Sequence, residues 1–291
     1  MTKLHVSQIF KSFQGEGSRT GVQTLFLRLF GCNLRCPGFF QPDPTNPQTY
    51  IKPIDFDPKS IKTLDDLPVI ERGCDTLYAI DPRFKHLKQS YEIEELADEI
   101  YSYLPEKEWI HPVTKNQIDL CITGGEPLLQ QEGIVELLSY MWDQDGEYSF
   151  PEVIQIETNG SKGLSAKLED FIISFASVRF QFNVSLKLFN VSGEDYDWNL
   201  YTIYRYRNVG DTNLKIVMNS DPRSWDELDR KLKPILDDYS YIPVYIMPVG
   251  ATYEQQSDYK EIEKITKMAL ERGFHISGRL HVITLGNAVD A

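Results

Sequence analysis

The sequence predicts an α/β fold: a partial or modified (β/α)6 barrel, with a parallel sheet under helical cover. Three observations carry that expectation. Short β-rich apolar runs alternate with amphipathic stretches of helical period along the chain. The strand candidates are almost continuously apolar, the pattern of strands covered on both faces. About six such units follow one another without a low-complexity segment or linker, so residues 1–291 read as a single domain.

In chain order, residues 22–30 (VQTLFLRLF) read as the first strong strand. Its one charge, Arg28, needs an anionic partner if buried. Beyond Cys36 the composition turns to Pro, Asp and Asn, and an irregular insertion is expected over about 37–73. A helix capped by Ser90 and closed at Pro105 follows. Residues 117–123 form a strand that enters Gly124-Gly125-Glu126-Pro127, and residues 128–142 a helix. Further strands are expected at 153–158, 180–187, 213–218 and 244–249. Helices are expected at 167–176, 224–238 and 258–272, the last stopped by Gly273. Residues 279–286 (RLHVITLG) complete the pattern as a terminal strand. In such folds ligands sit on loops leaving the C-terminal ends of the strands.

Composition narrows the function. The 291 residues carry 30 Lys+Arg against 43 Asp+Glu, a formal charge of −13, which disfavours a broad surface for nucleic acid or anionic lipid. No run approaches the roughly 18–20 apolar residues of a bilayer span, and MTKLHVSQIFKSFQGEG lacks the apolar core of a secretory signal. A cytoplasmic location is the expectation. The four cysteines, Cys32, Cys36, Cys74 and Cys121, are too few for a disulfide framework and are expected as thiols.

Gly31-Cys32-Asn33-Leu34-Arg35-Cys36 follows the 22–30 strand directly, and Cys74-Asp75-Thr76 ends the insertion. Three thiolates can hold three irons of a 4Fe-4S cluster and leave the fourth open to an exogenous ligand. On the cysteines alone, a structural zinc site or free thiols stand on equal terms with a cluster. Cys121 lies in an apolar strand and reads as core. The GGEP turn lets a ligand approach bare backbone, with Glu126 and the exposed amides open to an amino or carboxylate group. A tight strand-to-helix turn is the plainer account of it.

Together, Cys-x3-Cys after one strand and Thr123-Gly124-Gly125-Glu126-Pro127 after the next resemble the radical S-adenosylmethionine (SAM) superfamily. Within it, Phe13-Gln14-Gly15-Glu16-Gly17, Gly21, Phe26-x-Arg28-x-x-Gly31-Cys32-Asn33-Leu34 and Cys74-Asp75-Thr76 are similar to the 7-carboxy-7-deazaguanine synthase family. The resemblance continues through Glu157-Thr158-Asn159-Gly160, Ser185-Leu186-Lys187, residues 247–250 and Leu280-His281, whereas segments 37–73 and 188–210 have no counterpart in it. The usual superfamily motif is Cys-x3-Cys-x2-Cys. Here 37 residues separate Cys36 from Cys74, which is assigned by the Asp-Thr that follows it.

The resemblance implies a barrel of the radical SAM type and a lyase of deazapurine (queuosine-type) biosynthesis. It would convert 6-carboxy-5,6,7,8-tetrahydropterin to 7-carboxy-7-deazaguanine with loss of ammonia. It implies a 4Fe-4S cluster on Cys32, Cys36 and Cys74, SAM on the open iron as source of a 5′-deoxyadenosyl radical, and Mg2+ on Thr76. Phe13, Gln14, Gly15, Glu16, Arg28 and Thr123 would contact the pterin, Arg28 through the substrate carboxylate. Gly125, Glu126, Glu157, Ser185, Leu186 and Lys187 would line the SAM site. No catalytic residue is expected beyond these cofactor-bearing positions. A reductant protein such as flavodoxin or ferredoxin and a homodimer are implied as well, with no direct nucleic-acid or membrane partner. For individual residues there are plainer accounts: a structural ion pair for Arg28, a helix N-cap for Thr76, a solvent-facing Lys187. The five histidines are expected outside catalysis, with His281 in the last strand. Two other functions stay in play: an activating enzyme of an anaerobic ribonucleotide reductase, and a non-catalytic zinc or cluster protein acting by interaction.

Overall fold

Nine strands make one sheet in the computed structural model, which describes residues 2–144, 148–238 and 241–286. They are β1 (Leu4–Phe13), β2 (Gln23–Leu29), β3 (Gln89–Tyr91), β4 (Asp119–Gly124), β5 (Val153–Thr158), β6 (Arg179–Val184), β7 (Asp211–Met218), β8 (Val244–Pro248) and β9 (His275–Ile276). Their spatial order is β3-β1-β2-β4-β5-β6-β7-β8-β9. β1 runs antiparallel to β2 and β3, and every neighbour from β2 to β9 is parallel. The helices are α1 (Ile93–Ser102), α2 (Gln131–Asp143), α3 (Ala166–Ser174), α4 (Phe189–Ser192), α5 (Leu200–Val209), α6 (Pro222–Asp238), α7 (Tyr253–Gln256), α8 (Tyr259–Glu271) and α9 (Leu280–Leu285). This is the partial parallel barrel that the alternating pattern predicts.

The strands have two different faces. Leu120, Ile122, Ile154, Ile156, Phe182 and Ile216 join the core shared with Leu96, Leu137, Leu168, Ile203 and Leu232 of the helices. The alternate residues Asp119, Thr123, Gln155, Gln181, Asn183, Asn213 and Lys215 are also buried, although polar. Most are hydrogen-bonded within this layer or to Glu16 and Glu157, although Asn213 Oδ1 has no partner. Gln155 Nε2 donates to Asp119 (2.9 Å), Asn183 Nδ2 to Gln155 (3.0 Å) and Asn213 Nδ2 to Asn183 (2.8 Å). Period-two geometry therefore puts an apolar face under the helices and a hydrogen-bonded polar layer inside the curved sheet.

The structure departs from the sequence pattern in five places. Residues 4–13, unassigned above, form β1; their alternating burial suits a hairpin strand rather than a doubly covered one. Ser90 lies in β3, and α1 is capped instead by Glu92 in a reciprocal box with Glu95. The strand expected to reach residue 187 ends at Val184, leaving Ser185, Leu186 and Lys187 on the following loop. Segment 188–210 contains α4 and α5. Residues 279–286 are not a strand: they include α9, stopped by Gly286 at φ +76°, while the short β9 takes the sheet edge. Tertiary position overrides the β-branched run Val282-Ile283-Thr284.

The insertion is irregular but ordered. Asn46, Asp57 and Asp81 each precede a proline and accept a backbone N–H two residues on, opening successive 3-10 turns. Ile61, Leu67, Tyr78, Ala79, Ile80 and Phe84 build a second small core against the sheet's rim, with Cys32 and Cys74 packed on it. Segment 188–210 is joined to the main core where Tyr206 stacks on Phe182, with ring centroids 4.8 Å apart. Phe182→Ala is expected to cost about 3–5 kcal/mol, read as a lowered urea midpoint with an unchanged slope.

Candidate active site

One cavity opens at the C-terminal ends of the parallel strands, and fourteen of the sixteen residues singled out from sequence line it. Phe13, Gln14, Gly15 and Glu16 come from the β1–β2 turn and Arg28 from β2. Cys32 and Cys36 lie on the loop after β2, and Cys74 and Thr76 at the insertion's end. Thr123 and Gly125 close β4, Glu157 lies on β5, and Ser185 and Lys187 follow β6. Two do not line it. Glu126 is 1 % exposed, and its carboxylate is taken by the Leu128 and Asn159 N–H groups and the Thr158 hydroxyl, which makes it a brace for two loops. Leu186 is 1 % exposed, with its side chain in the main core.

The cysteines meet across the sequence gap. Gly73 N–H donates to Phe39 O at 2.8 Å, which folds the insertion's end back beside the Cys36 turn. Cys32 Sγ accepts the Leu34 N–H at 3.3 Å and faces Asn159 Nδ2 at 3.7 Å. Burial raises all three thiols, Cys74 to about 11, and neighbouring thiols act in the same direction on Cys36 and Cys74. Among the described residues no three His, Cys, Asp or Glu side chains converge as on a single ion. A cluster needs no such convergence, because each thiolate ligates its own iron. Three thiols on one wall around an open space fit the cube better than one zinc. Cys121 is fully buried in a small cluster with the stacked rings of Phe10 and Phe26, as the core reading holds.

Gly125 shows why the GGEP turn is bare. A Cβ there would lie 2.3 Å from Gly31 O and 2.7 Å from Cys32 Cβ. The turn and the cysteine loop are pressed together, so the glycine is sterically required.

The same cavity holds a buried charge network that reaches Asp75, next to Cys74. Glu16 bonds Lys215 Nζ (2.7 Å) and Arg279 Nε (3.0 Å); Lys215 also reaches Glu157 (2.9 Å), and Arg279 reaches Asp75 (2.7 Å). Burial pushes the Glu16 and Glu157 carboxyls up most strongly, but their partners together outweigh it, Lys215 and Arg279 at Glu16 and Lys215 with Thr123 at Glu157, and both end below the usual range. Lys215 is held well above its ordinary value by the same carboxylates against its own burial. Gln14 Nε2 donates to Gln155 (3.0 Å), and Thr123 Oγ1 to Glu157 (2.9 Å), so these side chains are pre-oriented by the polar layer.

Arg28 stands outside that network. It sits 5.5 Å over the Phe10 ring, its Nε has no hydrogen-bond acceptor, and no carboxylate within ion-pairing distance is found for it among the described residues. The structural ion pair considered from sequence is not what the fold contains. Thr76 occupies the N-cap position of a 3-10 turn without a side-chain cap bond, its hydroxyl 3.4 Å from Cys74 Sγ. Lys187 faces the cavity and not solvent, bonding Ser185 Oγ at 2.7 Å.

Sequence reasoning missed three members of the wall: Lys215, Arg279 and His281. Lys215 was visible as the lone charge in an apolar strand. Arg279 and His281 were passed over with the strand assignment; Arg279 is the N-cap residue of α9 and His281 lies in its first turn, and both line the cavity. Leu280 N–H donates to Gly15 O at 2.9 Å, and a Cβ on Gly15 would meet His281 Nδ1 at 1.9 Å.

A partial parallel barrel whose C-terminal rim carries three cysteines, a glycine turn and a buried polar cavity defines a cluster-dependent enzyme of the radical SAM type. The family described as a 4Fe-4S single cluster domain matches residues 13–150. A 7-carboxy-7-deazaguanine synthase from Hyperthermus butylicus is 31% identical over 97% of this chain and 93% of its own length. One from Clostridium acetobutylicum is 27% identical over 93% of each. The crystal structure of QueE from Escherichia coli shares the fold at TM-score 0.53, 18% identity and 96% and 95% coverage. The chain belongs to the 7-carboxy-7-deazaguanine synthase family.

Burial holds His281 neutral, its pKa lowered to about 4, with Arg279 adding to the effect. The unfolded chain takes up this proton near pH 6.5 and the folded one only near 4, so stability falls as pH drops between those values. Urea unfolding of iron-free protein should lose up to about 3 kcal/mol across that window, and His281→Asn should flatten it. A further fall below about pH 4.5, from Glu16 and Glu157, should persist in the variant.

Proposed function

We propose that this cavity contracts the ring of a 6-carboxytetrahydropterin to 7-carboxy-7-deazaguanine with loss of ammonia. The observation that carries the assignment of roles is Arg28: it lines the same cavity as the three cysteines, its Nε is buried without an acceptor, and Asp75 and Glu157 act on its charge only from beyond ion-pairing distance. A substrate carboxylate fits that fork. The amide of Gln14 and the carboxylate of Glu16 suit the donor-and-acceptor edge of a pterin, and Gly15 lets the His281 ring close against the backbone beside them. Phe13 and Thr123 complete that side.

Cys32, Cys36 and Cys74 would hold a 4Fe-4S cluster, which when bound supplies the electron that cleaves SAM. Gly125, Glu157, Ser185 and Lys187 line the adjoining space proposed for SAM. Leu186 would contribute backbone alone, and Glu126 would act through the loops it braces. Mg2+ would take the Thr76 hydroxyl, with water and substrate oxygens as its other ligands. Lys215 Nζ, kept protonated between two carboxylates, and His281, kept neutral, are the proton-bearing and proton-accepting groups nearest the pterin side. The reading extends to one domain over the whole chain, a cytoplasmic homodimer and a small reductant protein. No helix among the described residues is long and apolar enough to cross a membrane.

Anaerobic reconstitution followed by incubation with SAM, reductant, Mg2+ and the carboxypterin should yield the deazaguanine acid by mass spectrometry. Arg28→Ala should keep about four irons yet lose about two orders of magnitude in kcat/KM, some 3 kcal/mol. Cys74→Ala should lose the cluster. Unchanged turnover in the arginine variant would remove the account of carboxylate recognition.

A further inference from the structure

Residues 188–198 answer to no motif in the sequence, yet they touch both loops that carry the proposed cofactor site. Gly38 N–H, two residues past Cys36, donates to Ser192 O at 2.8 Å. Farther along, Tyr196 Oη accepts the Lys187 N–H (3.1 Å) and donates to Asn159 O (2.9 Å), and Trp198 Nε1–H donates to Lys187 O (3.0 Å). Glu194 lies between these contacts. Its Oε1 accepts the backbone N–H groups of both Arg35 and Cys36, each at 2.5 Å. Its own N–H is tied to Ser192 Oγ at 3.2 Å, which fixes the direction of approach.

Cys36 has φ +47°, a left-handed conformation that residues other than glycine seldom adopt. Successive N–H groups in such a turn make a concave site for an anion, and here the anion is supplied by the chain itself. The two cysteine sulfurs of this loop consequently differ. Cys32 Sγ receives the Leu34 N–H and faces the Asn159 amide, whereas the two amides at Cys36 point away from the cavity to Glu194. Hydrogen bonds to the sulfurs, nearby charge and exposure set the reduction potential of an iron–sulfur centre.

Resting on the reading that Cys32, Cys36 and Cys74 hold a 4Fe-4S cluster, we propose that Glu194 is a positioning residue for it. The carboxylate locks the Cys36 turn and lowers the cluster's reduction potential, by adding a negative charge beside it and by withdrawing two N–H donors from it. A lower potential strengthens the reduced cluster as an electron donor to a sulfonium.

The test is an EPR-monitored redox titration of the reconstituted protein with its iron content. Glu194→Gln keeps an acceptor for both amides, so it should retain about four irons and shift the midpoint potential upward. Glu194→Ala should lose iron or show an altered reduced-cluster signal, because the turn has lost its anchor. Asp195→Asn, an exposed neighbour that makes neither contact, should leave the potential where it was. An unchanged potential in Glu194→Gln, or an equal shift in Asp195→Asn, overturns the proposal. Wild-type protein that takes up no iron overturns the cluster reading, and this inference falls with it.

Discussion

Glu16 between Lys215 and Arg279 is the contact on which the site's shape depends. It ties the β1–β2 turn to β7 and to the approach of α9, three parts of the chain that no strand pairing connects. The open sheet is bridged there by further bonds from the same turn: Gly17 N–H to Ser277 Oγ at 2.8 Å, and Gln181 Nε2 to Ser18 Oγ at 2.9 Å. Isolated burial of so many charges would be costly, and mutual pairing is what makes it tolerable. Arg28, Lys187, Lys215 and Arg279 stand against Glu16, Glu71, Asp75 and Glu157, four charges of each sign around one cavity. Lys215 and Arg279 are each paired twice, whereas no ion pair is found for Arg28 or Lys187 among the described residues.

The two segments outside the family pattern both serve the cysteine side. The insertion makes its own apolar core and brings Cys74 to the rim, which explains how a cysteine so distant in sequence can complete the group. Segment 188–198 works from the other flank, gripping the Cys36 turn and the Lys187 loop by hydrogen bonds. A site whose ligands ride on loops needs supports of this kind, because loop backbone has no ladder of its own to hold it.

The polar layer inside the sheet gives the opposite side its rigidity. Asp119, Gln155, Asn183 and Asn213 form a chain of hydrogen bonds beneath the cavity, anchored at one end by Arg19 on Asp119 at 2.7 Å. Gln14 and Thr123 are oriented by this layer and by Glu157 rather than by contacts of their own making. Buried networks of this sort resist rearrangement, since each broken bond strands a buried polar group.

Local chemistry was enough to reveal much of this protein from its sequence. Alternating apolar runs specified the parallel sheet, Pro, Asp and Asn content marked the irregular insertion, and the Cys-x3-Cys, Gln14-Gly15-Glu16 and Gly124-Gly125 stretches marked the rim, because such signals act over a few residues. What depends on distant partners was not legible. The terminal strand became α9, since the sheet edge was already taken by β9 and the backbone of Leu280 found Gly15. Glu126 turned from ligand to brace, and Lys215, Arg279 and His281 joined the wall. Which polar groups a buried charge faces is set by chain segments hundreds of residues apart, and that is information only the packed tertiary structure contains.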